Sequence, residues 1–376
     1  MEVRAGKVTF ANNLRGLAAL VVVVSHYFGV FWLLRPVVAT FIQAEPVPET
    51  VPTPAIVTLI ELVPLNLGAF GVALFFIISG FVVPFSLARR NAPVFLLARI
   101  VRLLPPYVVS FTLSLGFLAL SCWFYGGAFP FSVAEILVHY LLGLRDIIGS
   151  RNIDGVIWTL EIEIKFYLLC ALIAPWLRQA DPRAFLAPAL VVLACAGIHL
   201  AQRAGAPAGS LSYAATFSGQ FLVFMFIGVA AHFVFRGRWT RRQGVVVALA
   251  CFLAFAGLWA MGIHSVNVVQ VGSYGVAVAL FAAAYAWPWL LPDNRVFRFM
   301  ADISYPLYAV HAVAGYVLLR LLLQVGVAPL PALLLTTAAA LGVSWLLHRV
   351  VEQPSQRWAQ RIGMGRAGHG PSAPAS

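Results

Sequence analysis

The first long apolar run of the chain, ANNLRGLAALVVVVSHYFGVFW, contains an arginine and a histidine, Arg15 and His26. Burying these two side chains in a membrane span costs several kcal/mol unless they serve a site. Eleven residues at 100° each return to within about 20° of the starting direction, so both side chains project from one helix face. Along the axis they lie about 16 Å apart. One face thus carries a fixed cation near the membrane surface and a titratable imidazole deeper in. Such a face suits an anionic ligand gripped at the surface and proton chemistry within.

Further reactive residues recur in apolar surroundings. WTLEIEIKFY (158–167) holds Glu161 and Glu163, two apart and therefore on nearly opposite sides of a helix. Glu161 has Lys165 four residues on and can form a local ion pair. Glu163 shares its face with Tyr167 and has no local cation, which makes it the better functional candidate. ARIVRLLPPY (98–107) sets Arg99 and Arg102 three apart at the entry of a span. Paired guanidiniums suit phosphate, although the same pair also serves as a positive-inside anchor. FFIISGF (75–81) places Ser79 and Gly80 where either a ligand or a neighbouring helix can approach closely. DISYPLYAVH (302–311) aligns Ser304, Tyr308 and His311 along one face, where His311 is either a catalyst or a satisfied core histidine. No metal-ligand spacing or glycine-rich phosphate loop is present.

The elements that must position these residues follow from composition. The chain has 376 residues, 61% hydrophobic and 10% charged, with a mean hydropathy of +0.91. That excess over a soluble domain implies an all-α, polytopic transmembrane bundle. Spans are expected at about 11–34, 66–88, 99–124, 158–178, 185–202, 215–235, 244–263, 267–291, 303–324 and 329–350, about ten in all, with both termini cytoplasmic. Residues 1–360 form a single domain, and the small, polar tail 361–376 is expected to be disordered. AEILVHYLLGL is short for a crossing and reads as an interfacial or re-entrant helix. The proline-rich and acidic stretch between the first two spans is placed outside.

The net charge is +12, and all but Lys7 and Lys165 of the 25 basic residues are arginine. These arginines cluster between apolar runs, as topology requires, which excludes nucleic acid as a partner. Cys122, Cys170, Cys195 and Cys251 are scattered through apolar segments and read as small core residues.

Taken together, the motifs resemble the acyltransferase-3 family of bacterial integral-membrane O-acyltransferases over about residues 10–355. The similarity rests on Arg15 with His26; on Phe75 to Phe81; and on Arg99, Arg102, Leu103, Pro105 and Tyr107. It continues in Trp158, Thr159, Leu160, Glu163, Phe166 and Tyr167, in Ile303, Ser304, Tyr305, Leu307, Tyr308 and His311, and in Glu352 with Pro354. Each motif is weak alone; six in order are specific. The first outer loop is longer than the family pattern.

The resemblance implies transfer of an acyl group, most often acetyl, from cytoplasmic acyl-CoA to a hydroxyl of a cell-envelope or secreted carbohydrate or lipid-linked glycan, in the bacterial inner membrane. Acyl-CoA is then the donor substrate, and no tightly bound cofactor is expected. On this reading Arg99 and Arg102, with Arg15, hold the donor phosphates, and the pantetheine arm passes Ser79 and Gly80. His26 is the general base or carries an acyl intermediate. Glu163 orients His26 or binds the acceptor, and Tyr305 or His311 stabilises the oxyanion. A secondary transporter also uses buried Arg, His and Glu near the midplane, and an internal repeat would favour it.

Overall fold

A computed structural model describes residues 2–261, 268–291 and 294–362, and every regular element among them is helical. The tail expected to be disordered lies, from residue 363 on, outside the described residues.

Eight stretches are long and apolar enough to cross a membrane. The first runs through α1 (Glu2–Ser25) and on to Leu33. The others are α2 (Leu67–Leu87), α3 (Ala92–Tyr125), a span ending in α6 (Leu186–Arg203), α7 (Ser210–Phe235), α8 (Arg241–Ala260), α9 (Val268–Ala286), and α12 (Pro329–Leu347) continued by α13 (Gln353–Arg361). The protein is therefore a multi-pass membrane protein.

Two expected spans are not single helices. The 303–324 segment is broken into α10 (Ser304–Val310) and α11 (Val313–Gln324), bent by 59°, and makes a ninth crossing if the pair counts as one. The break falls not at Pro306 but at Ala312, whose backbone leaves the helical region (φ −70°, ψ −95°). The 158–178 segment forms α5 (Ile157–Leu172), which stops at Ile173 before Pro175 begins a short helix, Ala174–Gln179. Its 16 residues span only about 24 Å. The amphipathic 133–143 stretch forms the short helix α4 (Val133–Tyr140), opened by a Ser132–Glu135 capping box.

The core is built around α2, which is apolar on all sides and enclosed by neighbours. Gly71 and Gly80 lie nine residues apart and hence on opposite faces of this helix. A Cβ on Gly71 would stand 2.5 Å from Val22 Cγ2 of α1, and one on Gly80 would stand 2.0 Å from the carbonyl oxygen of Met225 in α7. Gly228 of α7 faces back, with its virtual Cβ 2.2 Å from the Ile77 oxygen. Backbone-to-backbone crossings of this kind substitute for the hydrophobic drive that lipid removes. All four cysteines are buried and free.

The proline-rich segment 36–64 is ordered by cations. Prolines supply carbonyls but no amides, so between its two short helices, Arg35–Ile42 and Ala55–Glu61, the segment is short of donors. Arg35 supplies them, reaching the oxygens of Trp32, Val47, Pro48 and Val51 and the hydroxyl of Thr53 at 2.6–3.3 Å. Arg320 of α11 adds a bond to the Glu45 oxygen at 3.1 Å.

The glycine crossing yields a direct test. Gly228→Val drives a side chain into the α2 backbone and should cost about 3 kcal/mol or more. Gly257→Ala, where a Cβ meets nothing within 4 Å, should be neutral or gain about 0.5–1 kcal/mol. Thermal unfolding of both variants in detergent checks the contrast.

Candidate functional site

Five helices meet around a narrow cleft with a cavity volume of about 60 Å³, and six of the nine candidate site residues line it: Arg15, Ser79, Arg99, Arg102, Glu163 and Tyr305. They come from α1, α2, α3, α5 and α10, so the cleft exists only in the assembled bundle. A wider vestibule of about 720 Å³ adjoins it, lined by Arg89, Arg90, Gln356 and Gln360. Val82, Arg99 and Arg102 line both spaces and form the passage between them.

The passage owes its shape partly to Pro105 and Pro106 inside α3. Pro106 has no amide to pair with the carbonyl of Arg102 four residues earlier. The Ser355 hydroxyl from α13 approaches that carbonyl at 3.5 Å, which links the C-terminal helix to the arginine pair. Arg99 is buried, its guanidinium 5.0 Å from the Tyr167 ring centre and 5.4 Å from that of Phe95. Aromatic faces partly replace the water it has lost. Its Nε has no hydrogen-bond partner among the described residues.

Glu163 accepts hydrogen bonds from the Ser79 hydroxyl at 2.9 Å and from the Tyr167 hydroxyl. Ser79 therefore serves the carboxylate, and Glu163 does not contact His26 in the way the sequence suggested. Arg15 forms no ion pair among the described residues; the charges that act on it are Arg102, Glu352 and Glu163. Glu352 was legible only as the end of a motif. It is buried, bonded to His348 Nδ1 at 2.7 Å and to Gln356 Nε2 at 2.8 Å.

Glu161 turns the other way. It pairs not with Lys165 but with Arg145, through bonds of 3.1 and 2.6 Å. Lys165 pairs instead with Asp146 and with the Ser218 hydroxyl. The short helix Arg145–Ile148 supplies both partners, and its distance in sequence hid them. Asp154, also unforeseen, holds the start of α5 by accepting from the amides of Val156 and Ile157 at 3.0 Å and from Tyr107.

Two expectations need correction. Gly80 does not line the cleft; it faces α7 at the crossing described above. The Tyr305 hydroxyl is already committed to the Leu103 carbonyl at 2.8 Å and is not free for an oxyanion.

The two histidines meet each other. The rings of His26 and His311 lie edge to face with centroids 4.5 Å apart. His26 is half-buried and begins a π-helical turn, His26–Val30, a feature that commonly marks functional sites. His26 Nδ1 lies 2.5 Å from the hydroxyl of Tyr316. Sequence reasoning missed Tyr316, because it sits beyond a helix break that the uninterrupted apolar pattern conceals. His311 is fully buried; its Nδ1 bonds the Tyr308 carbonyl at 2.8 Å and its Nε2 has no partner among the described residues. Tyr308 lines the cleft and accepts from Thr159 at 2.9 Å, connecting the histidine pair to the arginine cleft.

No curated protein and no solved structure matches the chain. A family model described as an acyltransferase domain matches residues 8–349, nearly the whole chain and all the helices that build the cleft. On that match, the chain belongs to the acyltransferase-3 family.

Proposed function

We propose that the protein moves an acyl group, acetyl being the simplest, from acyl-CoA to a hydroxyl of a cell-envelope or secreted carbohydrate or lipid-linked glycan. Family membership gives the activity class, a membrane acyltransferase. The observation that carries the finer reading is the charge arrangement. Three guanidiniums, Arg15, Arg99 and Arg102, share a cleft with the single carboxylate of Glu163, at the end of a vestibule that carries Arg89 and Arg90. Coenzyme A bears a diphosphate and a 3′-phosphate, and guanidiniums bind such groups with two parallel hydrogen bonds. The vestibule is large enough for a nucleotide, and the cleft beyond it is narrow enough for a pantetheine arm. The thioester then lies towards Tyr308 and the two histidines.

The vestibule is assigned to the cytoplasmic face of a bacterial inner membrane, because arginines collect there. Both ends of the described chain support this. Phe10 packs on Phe81 and, through it, near Phe85 of the vestibule wall, while Gln356 and Gln360 of the last helix line that wall. Acyl-CoA is a substrate here, not a resident cofactor. The acceptor approaches the histidine pair from the opposite side. Purified protein in nanodiscs should release CoA from acetyl-CoA, and envelope glycans should lose one acyl mass when the gene is deleted. Absence of both signals would overturn the reading.

Arg99→Ala and Arg102→Ala should each weaken CoA binding by about 1.5–3 kcal/mol. Lysine at either place should restore only part of this, since it lacks the planar fork. Calorimetric titration with CoA checks this, and unchanged affinity in both alanine variants would assign the pair to topology alone.

Glu163→Gln should abolish most acyl transfer at normal protein level, because it keeps shape and removes the one negative charge in the cleft. Glu161→Gln should instead lower stability by about 3–5 kcal/mol, since it leaves Arg145 buried without its partner. Comparing folded yield with activity per folded molecule separates the two effects. Greater loss of specific activity in the Glu161 variant would place the site on the other side of α5.

A further inference from the structure

The acyl-transfer reading leaves open which imidazole is the base, and the hydrogen bonds of the histidine pair bear on this. A backbone carbonyl can only accept. His311 Nδ1, 2.8 Å from the Tyr308 oxygen, must therefore carry a proton, and neutral His311 keeps its lone pair on Nε2. That nitrogen is buried without a partner. His26 is bonded at Nδ1 to a hydroxyl, which can donate or accept. Tyr316 is itself buried, and its hydroxyl has no other hydrogen-bond partner among the described residues. If it accepted from His26, its own proton would be buried unpaired, at a cost that a buried donor rarely bears. Donation to Nδ1 satisfies both groups and puts the proton of His26 on Nε2.

We propose that Tyr316 positions His26 as a hydrogen-bond donor and that His311, not His26, is the general base of the acyl transfer. The roles suggested by sequence are thereby exchanged. The acceptor hydroxyl gives its proton to His311 Nε2 as its oxygen bonds to the thioester carbon. His26 Nε2–H donates to the oxyanion that forms. The carbon–sulfur bond then breaks, and His311 returns the proton to the departing thiolate, which leaves as CoA–SH. The rings meet edge to face with centroids 4.5 Å apart, which brings the two imidazoles to one place in the bundle.

The fold is shaped for this contact. Gly315 lies against Tyr27, where a Cβ would stand 2.0 Å from the tyrosine hydroxyl oxygen, so only glycine lets α11 approach the π-helical turn closely enough for Tyr316 to reach His26. The break at Ala312 sets His311 at the end of α10 and Tyr316 in the differently directed α11, and both side chains converge on the His26 ring.

Glutamine separates the roles, because its amide donates a hydrogen bond but is no base. With acetyl-CoA as donor and CoA thiol release as the readout, His26→Gln should retain activity within about tenfold of wild type. His26→Ala should lose about 10²-fold, the usual cost of a missing oxyanion donor. His311→Gln should lose about 10²–10⁴-fold, as for a missing base, and flatten the acid limb of the pH–rate profile. Nitrogen-15 spectra of histidine-labelled protein, assigned by difference against the His26 variants, should show His26 protonated at Nε2, and Tyr316→Phe should shift that signal. An active His311→Gln with an inactive His26→Gln, or a wild-type His26 protonated at Nδ1, would overturn the proposal. If wild type releases no CoA, the acyl-CoA reading falls, while the nitrogen spectra still decide the tautomer.

Discussion

Three guanidiniums confined with one carboxylate between membrane helices set the terms for the rest of the bundle. An uncompensated charge in such a place costs several kcal/mol, and the structure offsets that cost in a different way for each arginine. Arg99 lies against two aromatic rings. Arg15 feels Glu352, which is held in place by His348 and Gln356. Arg102 opens onto the vestibule. These devices make the cluster tolerable without neutralising it, and the remaining positive charge favours a polyanionic ligand. The glycine crossings of α2 serve the same end, because Gly71 and Gly80 fix α1 and α7 on either side of the helix that carries Ser79 to Glu163.

Helix α5 divides two tasks between carboxylates two residues apart. Its outer face is neutralised by short-range pairs: Glu161 with Arg145, and Lys165 with Asp146. That network holds the loop helix Arg145–Ile148 against the bundle and contributes nothing to the cleft. The other face presents Glu163, bonded only to hydroxyls, so its charge stays available to the arginines and to substrate. A helix repeat of 100° per residue is enough to keep the paired charges apart from the carboxylate of the cleft.

Much of this was legible in the sequence, and what was not shares a physical origin. The shared cleft of Arg15, Arg99, Arg102, Glu163 and Tyr305 could be expected because charged or motif-bearing residues in apolar helices announce themselves. The exclusion of Glu161 from the cleft followed from spacing, although its partner did not, because Arg145 lies in a segment without periodicity. Gly80 was ambiguous in principle, since a small residue admits a ligand or a helix equally well. The family match, residues 8–349, covers every one of these motifs except the closing Glu352 and Pro354.

The least legible feature is the one on which the proposed chemistry depends. Hydropathy averages over a window and cannot register one residue, Ala312, leaving the helical region. Yet that residue turns the chain by 59° and gives the His311 ring nitrogen a carbonyl to bond. A straight helix would carry Tyr316 about 7–8 Å further along the axis than His311, where a single imidazole could not readily serve both. The bend brings them together on His26, itself set at the start of a π-helical turn. Two departures from regular helix, one on each side of the contact, thus assemble a site that neither regular span would form, and the strict periodicity on which sequence reading depends is interrupted where the histidines meet.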